Sequence, residues 1–132
     1  MKKIGILHAQ LSRIIASMGH GDMLVIGDAG LPVPPGVETV DLALMQGVPG
    51  FLETLAAVLT ELKVEEGVIA REMAEVSPQM HERFRAVWPA DVPVRVVSHQ
   101  ELKELSRRAR AVVRTGEFTP YSNVVLIAGV VF

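Results

Sequence analysis

Residues 23–36 read MLVIGDAGLPVPPG, and the opening Met23-Leu24-Val25-Ile26 decides the fold class. An unbroken apolar run of this length, ended by Gly27 and Asp28, is the pattern of a strand buried on both faces, which belongs in a parallel sheet covered by helices. The AGLPVPPG that follows loses backbone donors at three prolines and gains special dihedrals at two glycines, so it is a shaped loop, too short for a linker. Asp28 therefore stands where the chain leaves a buried strand. In open α/β sheets ligands collect in the crevice at such strand ends.

Upstream of this stretch, Ile6, Leu7, Leu11, Ile14, Ile15 and Met18 recur at helical spacing and predict a helix over 6–18, stopped by Gly19. Downstream, a weak strand is expected at 39–44, a largely buried helix at 51–62, a strand at 67–70, a helix at 78–87 and a strand at 92–97. Ser98-His99-Gln100-Glu101 has the S-x-x-E form of a capping box and should start a helix running to about Arg108. Residues 109–114 and 123–132 read as two last strands, separated by a polar loop and suited to pairing as a hairpin. The alternation predicts one domain, 1–132: a three-layer α/β/α fold with a largely parallel sheet and a C-terminal β-hairpin.

A chain of 132 residues is long enough for one core. It is 49% hydrophobic with a mean hydropathy of +0.34. No apolar run approaches the roughly 18–20 residues that cross a bilayer, so no membrane span is expected, and the apolar excess is assigned to contacts between subunits. Lys2 and Lys3 precede only Ile4-Gly5-Ile6-Leu7, too short an apolar core for a secretory signal, and there is no cysteine for disulfide or thiolate chemistry. The expected location is the cytoplasm. The net charge of −2 gives no pull toward nucleic acid, and the one basic cluster, Arg107, Arg108, Arg110 and Arg114, has no interleaved aromatic residues.

Polar residues concentrate at element ends. His20, in Gly19-His20-Gly21-Asp22, follows the first helix; the negative end of a helix dipole favours imidazolium, which suits a general acid. The same position suits a capping histidine, and spacing does not separate the two. Asp28 is placed either to accept hydroxyl protons or to bond a backbone N–H two residues on. His99 falls in a first helical turn, where the dipole favours neutral imidazole, or simply faces solvent. The loop from Arg114 to Asn123 gathers donors and acceptors between two apolar strands. The ring of Tyr121, the only tyrosine, can pack on a sugar face, while its hydroxyl and the Asn123 amide bind hydroxyls; a polar turn explains most of the same residues. His8, His20, Asp28 and His99 lack the spacing of local metal motifs, so no metal site is expected.

These motifs meet a known family. The stretches MKKIGILHAQLSRIIASMGHGD at 1–22, DAGLPVP at 28–34 and RTGEFTPYSN at 114–123 resemble the D-ribose pyranase and fucose mutarotase family of bacterial sugar isomerases, over essentially the full length. Gly19-His20-Gly21-Asp22 and Asp28-Ala29 resemble both branches; GLPVP and EFTPYSN resemble the ribose branch. The resemblance implies interconversion of β-pyranose and β-furanose D-ribose without a cofactor. It implies His20 as proton donor, with Asp28, His99, Tyr121, Ser122 and Asn123 binding substrate. It also implies a ring-shaped homo-oligomer, pentamers stacked as a decamer. His8 departs from the asparagine expected in ribose-type relatives and is expected either near the mouth of the site or in solvent.

Overall fold

The structure, a computed structural model, describes residues 1–132. In chain order the elements are α1 (Ala9–Ser17), β1 (Met23–Gly27), β2 (Glu38–Asp41), α2 (Phe51–Leu59), β3 (Val64–Ala70), α3 (Arg71–Val76), α4 (Pro78–Val87), β4 (Val94–Val97), α5 (His99–Ser106), β5 (Ala111–Arg114) and β6 (Val124–Ala128). The six strands form one sheet in the order β2-β5-β1-β6-β3-β4. β1 to β5 run in one direction and β6 against them, since β6 is antiparallel to both its neighbours, β1 and β3. The sheet is thus largely parallel within a single α/β domain.

The expected C-terminal hairpin is corrected: β5 and β6 do not pair, because β1 lies between them. A strand buried on both faces has two edges to satisfy, and β1 takes β5 on one and β6 on the other. The connecting loop crosses the end of β1 and is tied down there. Thr115 donates both its N–H and its hydroxyl to the Gly27 carbonyl, and the Asp28 N–H donates to Asn123 Oδ1.

The two faces of the sheet are covered unequally. On one, Leu11 and Ile14 of α1, Phe51, Leu55 and Val58 of α2, Met73 of α3 and Met80 and Phe84 of α4 pack on Leu24, Ile26 and Leu126. The buried residues of α2 and α4 recur at three- and four-residue spacing, so each helix turns one face to the sheet. Pro78 opens α4 at a position where its missing N–H costs nothing. At the other end Trp88 stacks on Phe84 with centroids 5.3 Å apart, lies over Gly67 and donates to the Val92 carbonyl. On the opposite face Leu31 of the proline loop and Leu102 of α5 cover Val25, Val68, Val112 and Val125. The loop is therefore part of the core. No helix is long and apolar enough to cross a membrane.

Several ends differ from expectation for local reasons. α1 begins at Ala9, later than residue 6, because His8 is its cap: Nδ1 accepts from the Leu11 N–H at 3.2 Å. This is the chemistry an asparagine would supply there, and the His8 side chain is exposed, as one of the two expected positions had it, while capping the helix. α3 was not expected at all.

Candidate functional site

The carboxyl ends of β1 and β5 open into a cavity of about 550 Å³. Asp28, His99, Arg114, Glu117 and Tyr121 line it, with Leu31, Pro32, Phe118 and Pro120 as its apolar part. Each wall has a sequence reason. Asp28 ends the buried strand and accepts the Gly30 N–H at 3.0 Å, a turn that directs the proline loop. Ser98 caps α5 by accepting the Glu101 N–H, which fixes His99 in the first turn, and the Glu72 carboxylate of α3 accepts the His99 N–H at 3.0 Å and 3.2 Å. Tyr121 holds a left-handed backbone, φ 63°, unusual for a non-glycine, and its ring meets the His99 ring edge-on with centroids 5.0 Å apart.

The loop over β1 is fixed from beneath. Gly116 donates to the Pro49 carbonyl and accepts from Gly47, and a Cβ there would stand 2.4 Å from Met45 O and 2.8 Å from Val48 N. Only glycine allows that approach. Glu117 accepts from the Phe51 N–H and from the Thr119 N–H and hydroxyl. Burial would raise its carboxyl, but these bonds outweigh burial and hold it below the usual range. Arg114 joins the walls, donating to the Ala29 carbonyl and to both Asp41 oxygens.

Electrostatics separate the two titratable groups that face each other. Burial raises the Asp28 carboxyl above its ordinary value, against the Gly30 N–H, the Asn123 amide, His99 and the Leu31 N–H. Burial lowers the His99 imidazole, helped by Lys103 and opposed by Glu72 and Asp28, so the ring is neutral at pH 7. Two buried polar atoms at the site make no hydrogen bond of good geometry: His99 Nδ1, and Asn123 Nδ2, which is near enough to the Asp28 carboxylate to favour its charge without forming a proper bond to it.

Asp28, His99, Tyr121 and Asn123 are thus brought together. Ser122 is beside them; like Asn123 it is fully buried and behind the residues that line the cavity, and its hydroxyl donates to the Thr119 carbonyl at 2.9 Å, holding the turn. His20 is elsewhere. It stands before β1, whereas Asp28 stands after it, and a strand of that length separates them by roughly 20 Å. His20 lines a second cavity, of about 480 Å³, with Met18, Leu62, Lys63 and the segment Gly129–Phe132. It lies three residues past the last residue of α1, in a turn closed by Asp22 N–H to Gly19 O and by Gly19 N–H to Asp22 Oδ2. The Gly19 N–H, with Arg110 at 2.8 Å, holds the Asp22 carboxyl below its usual range.

Arg114, Glu117, Phe118 and Glu72 were not singled out as site residues from the sequence. Arg114, Glu117 and Phe118 lie in the quoted RTGEFTPYSN, and their function as walls was legible in their clustering between two apolar strands. Glu72 had no such signal, since its partner is 27 residues away. No group of three or more His, Asp or Glu side chains is arranged to hold a metal ion.

The chain matches the model of the RbsD / FucU transport protein family over residues 1–131. A protein of Chloroflexus aggregans named D-ribose pyranase is 53% identical over 132 residues, all of both chains. One of the same name from Symbiobacterium thermophilum is 55% identical over 132 residues, again all of both. Among solved structures, Bacillus subtilis RbsD complexed with D-ribose has a TM-score of 0.96 at 44% identity, with the whole of each chain covered. The fucose mutarotase of Streptococcus pneumoniae, in complex with L-fucose, covers both chains fully with a TM-score of 0.74 at 23% identity, a likeness of fold alone. With a family model spanning nearly every residue and relatives more than half identical from end to end, this chain belongs to the RbsD / FucU transport protein family.

Proposed function

We propose that this protein is a cytoplasmic D-ribose pyranase, interconverting the β-pyranose and β-furanose forms of ribose, and that its working form is a homo-oligomer of pentameric rings stacked as a decamer. The observation that carries the ligand class is the pair of unpartnered buried atoms, His99 Nδ1 and Asn123 Nδ2, beside the Asp28 carboxylate. Buried polar atoms without partners are costly, and a small polyhydroxyl ligand satisfies several at once. Asp28, His99, Tyr121 and Asn123 hold the sugar, and Ser122 keeps the turn that presents them. Support for ribose comes from relatives named D-ribose pyranase and from the RbsD structure complexed with D-ribose.

Ring opening moves two protons. The anomeric hydroxyl loses one to a base, its electron pair forms the aldehyde C=O, the bond from the anomeric carbon to the ring oxygen breaks, and that oxygen takes a proton from an acid. Rotation and closure by another hydroxyl reverse these transfers. His20 is the acid; Asp28, whose carboxylate is unsettled by burial, and neutral His99 are the base candidates. Because His20 is roughly 20 Å from Asp28 within one chain, a sugar meets both only where two copies join, His20 of one facing the strand-end cavity of the next.

Saturation-transfer NMR on ribose tests the reading. Wild type should accelerate pyranose–furanose exchange more than it accelerates fucose anomer exchange, and His20→Ala should lose about 10²- to 10⁴-fold while keeping its oligomer. Ribose binding without acceleration would reduce the protein to a sugar-binding accessory, and wild-type exchange by His20→Ala would end the assignment of the acid.

A further inference from the structure

We propose that Glu65 is the positioning residue of His20, and that it makes Nδ1 the ring atom that exchanges protons with the sugar. The inference rests on the reading of His20 as the acid. His20 Nε2 and Glu65 Oε2 are 2.9 Å apart. A carboxylate accepts from a ring N–H, so Nε2 keeps its proton in both the charged and the neutral ring, and Nδ1 is left to gain and lose one. When the sugar ring opens, the imidazolium gives its Nδ1 proton to the ring oxygen and remains as the neutral Nε2–H form. When the ring recloses in reverse, Nδ1 takes the proton back.

The contact is built into the sheet. Along β3, Val64 pairs with Ala128 and Glu66 with Ile127, so Glu65 is an extra residue opposite a single step of β6. Such a bulge breaks the alternation of side chains and re-aims one of them, here out of the ladder toward the turn that carries His20. The path is kept open by Gly129, where a Cβ would stand 3.0 Å from Glu65 Cβ and 3.4 Å from Oε2. The turn is pinned to the same place, because the Gly21 N–H donates to the Ala128 carbonyl and the Ala128 N–H to the Asp22 carbonyl, both at 2.8 Å. The bulge, the glycine and the turn therefore converge on one contact. Glu61, the carboxylate that lines the His20 cavity, is engaged instead by the Ile6 N–H at 2.8 Å and by Lys2 at 3.6 Å.

Glu65 touches no sugar in this scheme, so its loss should appear in kcat and not in KM. The test is ribose exchange by saturation-transfer NMR against ribose concentration, with ring ¹⁵N spectra of His20, in wild type, Glu65→Ala and Glu65→Gln. Glu65→Ala should lower kcat about 10- to 100-fold at unchanged KM and turn the neutral ring from the Nε2–H form into a mixture. Glu65→Gln, whose carbonyl still accepts from Nε2–H, should restore that form and much of the rate. With 46% of its side chain exposed, Glu65 can be replaced without leaving a cavity in the core. An Ala variant with wild-type rate and ring form overturns the inference, as does a rate loss that Gln does not relieve. If His20→Ala is inactive while Glu65→Ala is not, this inference alone falls; if His20→Ala is fully active, the acid assignment falls and takes the inference with it.

Discussion

Burial raises the Asp28 carboxyl, so at neutral pH the folded protein holds a charge that its surroundings disfavour. A group whose folded value lies above its unfolded one contributes stability that is full below the unfolded value and is lost as pH rises through the folded one. Asp28→Asn keeps an oxygen for the Gly30 N–H and removes the charge. It should raise Tm at pH 7 by roughly 1–3 °C, lose that gain near pH 3.5, and weaken ribose binding; melts at the two pH values and a ribose titration check it. His99 has the opposite sign. Its lowered imidazole means that the unfolded chain takes up a proton first as pH falls below about 6.5, so stability is lost from there down to the folded value, and His99→Gln should remove that part of the loss in melts between pH 7 and pH 5. The position of His99 was legible because Ser98 and Glu101 mark a helix start. The partner of His20 was not, since Glu65 is 45 residues away and reaches it through a bulge that leaves no mark in local spacing.

The loop between β5 and β6 is held at three places: Thr115 and Asn123 on the end of β1, and Gly116 against the 45–49 segment. Gly116→Ala places a methyl against backbone that has no room to give. It should cost about 1–3 kcal/mol in urea unfolding and weaken ribose binding together, because the displaced loop carries Tyr121 and Asn123. A loss of stability with unchanged affinity would mean that the loop keeps its form without this anchor. α4 runs over the expected residues because a proline start, a one-faced stripe and a polar back all agree. α3 was missed because its six residues follow β3 without a break and end at Ser77, too short to show a period. The hairpin was misread for a different reason: neighbours in sequence usually pair, and nothing local says that a strand from a hundred residues earlier separates them.

Two cavities stand at opposite ends of β1, and large apolar residues are exposed near each: Phe118 at the Asp28 cavity, Val131 and Phe132 at the His20 cavity. That arrangement suits copies joined head to tail in a closed ring. His20→Ala and Asp28→Asn chains, each impaired alone, should gain activity when refolded together, since random pairing at equal mixing leaves about a quarter of the junctions with both groups intact. No recovery would mean that each chain works by itself. The class of fold was legible in short motifs, and so was the clustering of Asp28, His99 and Tyr121; the separation of His20 from Asp28 was not, because a motif reports its own strand end and not which end of the sheet it occupies. Trp88, the only tryptophan, lines neither cavity, and its ring is sealed between Phe84 and Gly67. Its fluorescence will therefore follow unfolding while staying blind to ribose, giving every variant above an optical measure of folding that binding does not disturb.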